Sequence, residues 1–200
     1  MLATGDTTAF DHLLARTGRD NVEAYMSRFC TQPQRNKPFL ATMEYFRLKL
    51  GSDRKLPGRY ALAGEDERRS MLRPKGPADQ SIPSLAAAGN WRLPFEVERI
   101  GWFASADDCC RVIADLYRAS RQPKMEPLAN ALRMTDAFEP GSGPWKTVAF
   151  KSGSEPGVLA MVWLLERNDG RTFVVSLLAN DPKQPVSQSD LNAYAAAAVR

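Results

Sequence analysis

The stretch GVLAMVWLLER (157–167), the tripeptide Asn168-Asp169-Gly170 and the stretch RTFVVSLLA (171–179) together decide the fold. Asn, Asp and Gly tolerate the positive φ that a tight turn demands, so two apolar runs around such a tripeptide predict a β-hairpin. Both arms are apolar on consecutive positions instead of alternating. Strands of that kind are covered on both faces, so helices should sandwich this sheet.

Working outward, Pro144 to Lys151 predicts a further strand before the hairpin, and Ser189 opens an alanine-rich closing helix over Leu191 to Val199. At the end of the first strand stands Lys151-Ser152-Gly153, followed by Ser154-Glu155-Pro156-Gly157. A lysine supplies charge, a hydroxyl supplies a directional donor, and a glycine lets a ligand approach the backbone closely. Those are the ingredients of an anion site.

The first two thirds of the chain read as helices. Thr8 caps a short helix carrying Phe10, Leu13 and Leu14 on one face, stopped by Gly18. Asp20 with Glu23 has the spacing of a capping box and opens a helix with Val22, Tyr25, Met26 and Phe29 at i, i+3, i+4 and i+7. A third helix runs near Thr42 to Leu50 and closes at Gly51. Residues 52–100 are interrupted by Pro57, Pro74, Pro77, Pro83 and Pro94, so only Glu65 to Leu72 is expected to be helical there. Ser105 with Asp108 then caps a helix from Ala106 to about Ala119, expected to bury Cys109, Val112, Ile113 and Leu116.

Composition narrows the function. The 200 residues are 44% hydrophobic and 25% charged, enough for a sizeable core in one domain. The longest apolar run, Val158 to Leu165, is far below the roughly 18 residues of a membrane span. MLATGDTTAF has neither a basic nor an apolar leader region, so no secretory signal is expected in the chain as written. The net charge of +4 is scattered, with no basic stripe interleaved with aromatics, which argues against a nucleic-acid partner. One histidine, His12, excludes a multi-histidine metal site, and Cys30, Cys109 and Cys110 lack zinc-ligand spacing. No metal and no cofactor are expected. His12 beside Asp11 invites a Ser-His-Asp reading, but a lone histidine on a short amphipathic helix is more often a surface residue.

The run Trp145 to Gly153, the hairpin and the alanine-rich end together resemble the C-terminal end of class A β-lactamases and related penicillin-recognising serine hydrolases, which carry a Lys-(Thr/Ser)-Gly triplet on an edge strand. MLATGDTTAFDHLLARTGRDNVEAYM is similar to the family segment that carries Ser-Asp-Asn. NKPFLATMEYFRLKL and GWFASADDCCRVIADL are similar to family helices. K-S-G-S-E-P-G with Asn180-Asp181-Pro182 is similar to a subgroup associated with clavulanic acid biosynthesis.

The resemblance implies a β-lactamase/transpeptidase-like α+β fold: an antiparallel sheet covered by helices beside a helical lobe. Residues 1–135 would form the mainly helical part and 144–200 the strands and last helix, in one domain that is N-terminally incomplete. It further implies acyl transfer on a small-molecule carboxylate, β-lactam or peptide-like. Lys151 and Ser152 would grip that carboxylate beside Gly153, and Ser154 would lend its backbone N–H to an oxyanion hole. Asp6 and Thr7 stand in the catalytic Ser-Asp-Asn motif, which here reads Gly5-Asp6-Thr7. Gly5 lacks the proton-relaying hydroxyl, Thr7 lacks the amide, and Asp6 keeps a loop-supporting role.

Two further family features do not carry over. Ser52-Asp53-Arg54-Lys55 fits the nucleophile pattern Ser-x-x-Lys only as text, since it follows the second motif instead of preceding it. Neither Glu65, Glu96 nor Glu98 has the Glu-x-x-Leu-Asn context of the general base. The expectation is therefore a β-lactamase-like serine hydrolase whose covalent machinery this chain does not carry, with an exposed apolar sheet edge where the first lobe would stand. The alternative is a silent binding module that keeps the carboxylate site.

Overall fold

The computed structural model describes residues 5–73, 89–133 and 144–199. Among them are eight α-helices and one three-stranded antiparallel sheet, a mixed α+β arrangement. Pro74, Pro77 and Pro83 lie outside the described residues. None of the described helices is long and apolar enough to cross a membrane.

Helix α1 (Thr7–Thr17) is capped by Asp6, not Thr8. The Asp6 carboxylate accepts the Ala9 N–H at 3.0 Å, so the helix starts a residue before the expected cap. Gly18, at φ +83°, ends it as expected and donates its N–H to the Leu14 carbonyl at 2.9 Å. In α2 (Arg19–Met26) the expected Asp20–Glu23 capping box is absent. Glu23 is instead buried, accepts the Phe39 N–H at 2.8 Å and pairs with the Arg69 guanidinium. A long-range partner has displaced the local cap.

Helix α3 (Thr42–Leu50) ends at Gly51, and its first N–H groups, from Thr42 and Met43, donate to the Asp11 carboxylate at 2.6 and 3.2 Å. Helix α4 (Leu56–Leu62) corrects the reading of 52–100. Pro57 sits in its first turn, where a missing N–H costs nothing, and Tyr60 is buried. Helix α5 (Glu65–Leu72) is where the pattern placed it.

Helix α6 (Ala106–Ser120) has the Ser105–Asp108 capping box, but Cys109, Val112, Ile113 and Leu116 are only half-buried. Its one buried residue is Asp108. Helix α7 (Glu126–Arg133) had no counterpart in the sequence reading.

Strand β1 (Trp145–Glu155) runs four residues past the expected end, then turns at Pro156-Gly157 into β2 (Val158–Arg167) and β3 (Thr172–Asn180). The order is β1-β2-β3. Helix α8 (Gln188–Val199) covers one face, where Leu159, Met161, Trp163, Leu165 and Ala195 form a buried cluster. Helices α6 and α7 cover the other. The sandwich expected from the two apolar runs is therefore present, most fully around β2.

A second cluster, Leu40, Tyr45, Leu48, Tyr60, Met71, Leu72 and Ile100, holds α3, α4 and α5 together. Pro94 of the segment before α6 packs on the β1–β2 turn. A Cβ on Gly157 (φ +83°) would lie 2.6 Å from the Pro94 ring and 2.4 Å from the Asp181 carbonyl, so only glycine fits there.

Candidate functional site

Side chains alternate along β1. Val148 and Phe150 join the cluster under α8, while Thr147 and Ala149 face Tyr117 and Leu132 of α6 and α7. Lys151, Gly153 and Glu155 share the second face; Ser152 and Ser154 share the first. All four residues from Lys151 to Ser154 are paired with β2, opposite Val162, Met161, Ala160 and Leu159. The triplet therefore lies within the strand, a correction to its expected place at the end. Ser152, Gly153 and Ser154 are exposed and Lys151 is half-buried. Because Lys151 and Ser152 leave opposite faces, a ligand gripped by both must lie along the outer edge of β1, which no other described strand covers.

Gly5 comes to that same edge from the other end of the chain. It adopts φ +67°, and a Cβ placed on it would lie 3.9 Å from Lys151 Nζ. The Lys151 ammonium donates to the Ser152 carbonyl at 2.8 Å. Asp6 is committed to capping α1, and Thr7 is exposed in the first turn of that helix. Of the Gly5-Asp6-Thr7 segment, Gly5 is thus brought against the lysine, and Asp6 shapes the entry to α1.

Behind the strand lies a buried polar group that the sequence reading missed. Lys49 of α3 has a fully buried side chain and pairs with Glu155 at 3.0 Å. It also donates to the Phe95 carbonyl at 2.6 Å, and the Tyr45 hydroxyl donates to Glu155 at 2.5 Å. Burial pushes the Lys49 ammonium below the ordinary lysine range, with Glu155 pulling it back. Burial, reinforced by Glu155, holds the Tyr45 hydroxyl far above the ordinary tyrosine range. The available signal was spacing: Lys49 falls in line with the apolar Tyr45 and Leu48, and a lysine on an apolar stripe needs a buried partner.

The remaining candidates are structural. Ser52 and Lys55 are both exposed in a turn, where the Asp53 carboxylate accepts the N–H groups of Lys55 and Leu56 and caps α4. His12 is exposed, and both oxygens of the neighbouring Asp11 are taken by the start of α3. Burial raises the thiols of Cys30, Cys109 and Cys110, which disfavours a thiolate nucleophile. Among the described residues no three His, Cys, Asp or Glu side chains come together as a metal site. A cavity of about 50 Å³ between α6, α7 and the sheet is lined by Tyr117, Leu132, Ala149 and Glu166. It has room for a water or two and contains none of the candidate site residues.

No protein-family model matches this chain, and no curated protein matches it. The chemistry of the β1 edge itself therefore carries the functional reading.

Proposed function

We propose that the chain forms the carboxylate-gripping wall of a β-lactamase-like serine hydrolase site, in a fold of the β-lactamase/transpeptidase type. The observation that carries this reading is the convergence of Gly5 and Lys151, the two segments that resemble family motifs, on the edge of β1 that no other described strand covers. There Lys151 supplies the charge, Ser152 a hydroxyl and Ser154 an edge position from which a backbone N–H reaches a developing oxyanion. The described residues add no activated serine: Ser52 is exposed in a turn held by the Asp53 carboxylate, and Gly5 has no hydroxyl to relay a proton. Penicillin-type carboxylates are the ligands of choice, held reversibly.

Isothermal titration with a penicillin tests this. Lys151→Ala weakens binding about tenfold, the value of one charge-assisted hydrogen bond at an accessible site. Intact-mass spectrometry after incubation shows no added mass. Unchanged affinity in Lys151→Ala removes the carboxylate site, and a stoichiometric mass gain shows that the chain carries a nucleophile after all.

The second reading, a silent binding module, draws on the same edge together with the missing hydroxyl at Gly5. Both readings expect reversible binding without hydrolysis by this chain; they part on whether a supplied Ser-x-x-Lys segment brings acyl transfer, which the silent module does not gain.

A further inference from the structure

Helix α3 touches both segments that meet at the β1 edge. Its first N–H groups, from Thr42 and Met43, donate to Asp11 of α1, and α1 begins just after Gly5, which faces Lys151. About two turns further along, Lys49 pairs with Glu155, the last residue of β1. One nine-residue helix therefore fastens the Gly5 segment at one end and the far end of the site strand at the other.

The Tyr45 hydroxyl and the Lys49 ammonium share one oxygen of Glu155, at 2.5 and 3.0 Å, and Lys49 reaches the other at 3.3 Å. The ammonium is bound in turn to the Phe95 carbonyl at 2.6 Å, and it lies over the rings of Tyr45 and Trp91, 5.5 and 5.7 Å from their centres. Glu155 cannot swing away without stranding a fully buried charge. The three residues before it are placed differently. Ser152, Gly153 and Ser154 are exposed, on an edge whose outer side no described strand pairs, and such backbone opens locally at little cost. What holds them is the ladder to β2 and the fixed residue that follows them.

We propose that Lys49 is a positioning residue for the carboxylate site: acting through Glu155, it keeps Lys151 to Ser154 in the extended form that a ligand needs. This rests on the carboxylate reading of the β1 edge and adds to it the group that readies the edge before a ligand arrives. A strand end that is ordered only part of the time binds with an affinity reduced by that fraction. Loss of the clamp therefore weakens binding although every group that touches the ligand is unchanged.

Isothermal titration with benzylpenicillin, at a temperature where a melt shows each variant fully folded, reads the effect. Glu155→Gln keeps an acceptor for Tyr45 and removes the charge that Lys49 holds; Lys49→Met keeps the length and removes the ammonium. Each should raise Kd about tenfold, as a fall of the competent fraction to about a tenth requires. The double variant should do no worse than either single one, because Lys49 acts only through Glu155. A purely structural pair would lower the melting temperature and leave the Kd of the folded protein alone. Hydrogen exchange gives a second reading without ligand: deuterium uptake over 151–155 should rise in Glu155→Gln while that over 159–165 matches the wild type. Unchanged uptake over 151–155, an unchanged or tighter Kd in Glu155→Gln, or additive losses in the double variant would each overturn the proposal. Lys151→Ala, run in parallel, separates the two claims. A wild type that takes up no benzylpenicillin, or a Lys151→Ala variant with unaltered Kd, ends the carboxylate reading and the positioning role with it. A loss in Lys151→Ala beside an unaltered Glu155→Gln removes the positioning role alone.

Discussion

At the scale of single residues, Lys49 decides how the site strand is held. Its side chain has no exposed surface and Glu155 has 11%, so the pair sits in a medium where breaking it leaves an unpaired charge. Glu155→Gln keeps an acceptor for the Tyr45 hydroxyl and removes only the charge. Its expected cost is about 3 kcal/mol at neutral pH, read by urea denaturation. The sign of the pH dependence follows from Lys49, which binds its proton less tightly folded than unfolded. Its burden on the folded state is therefore full at low pH and lifts as pH rises through its lowered folded value towards 10.5. Losing Glu155 lowers that folded value further, so the deficit of Glu155→Gln should narrow as pH climbs through this window. A deficit flat from neutral pH to that limit would contradict the ion pair. Lys151, Ser152 and Gly153 were legible in the sequence because their chemistry is local. Lys49, Tyr45 and Glu155 act through a contact between distant segments, which only the fold creates.

Among elements, α6 shows a cap that also fastens the chain elsewhere. Asp108 accepts the Ser105 N–H at 2.9 Å, closing the capping box, and accepts the Thr31 N–H at 3.0 Å from the segment after α2. Burial pushes its carboxyl up, and the bonds from Ser105 and Thr31 more than reverse this, leaving it below the ordinary carboxylate value. Asp108→Asn should cost about 2 kcal/mol, or about 6 °C in melting temperature for a chain of this size. A depressed carboxylate stabilises above its unfolded value of 3.8 and loses that contribution as pH falls through the folded one. The melting temperatures of variant and wild type should therefore converge below pH 3.8; a constant gap would refute the assignment. The elements with strong local signals (α3, α5, α6 and the hairpin) stand where the sequence put them. Helices α4 and α7 escaped notice because each has a proline near its start, Pro57 and Pro127, which reads as a break and serves here as a first-turn residue. The Asp20–Glu23 pattern misled for the opposite reason: its glutamate found Arg69 and Phe39 instead.

For the molecule as a whole, the segment around Pro94, the β1–β2 turn and the end of β3 come into close contact at Gly157. Gly157→Ala drives a methyl group against the Asp181 carbonyl and the Pro94 ring at a left-handed φ, with an expected cost of about 3 kcal/mol. The urea midpoint should fall while the slope stays fixed; an unchanged midpoint would mean that the turn and the 91–97 segment do not bear on each other. The mixed α+β class and the covering of the hairpin followed from hydrophobic pattern alone. How the two clusters dock did not, because it rests on a missing side chain and a buried ion pair. The indoles also differ in how far they meet water. Trp163 is 2% exposed beneath α8, whereas Trp102 is 41% exposed beside Tyr45. Of the four tryptophans, these two thus mark opposite extremes, and an aqueous quencher reaches Trp102 while sparing Trp163.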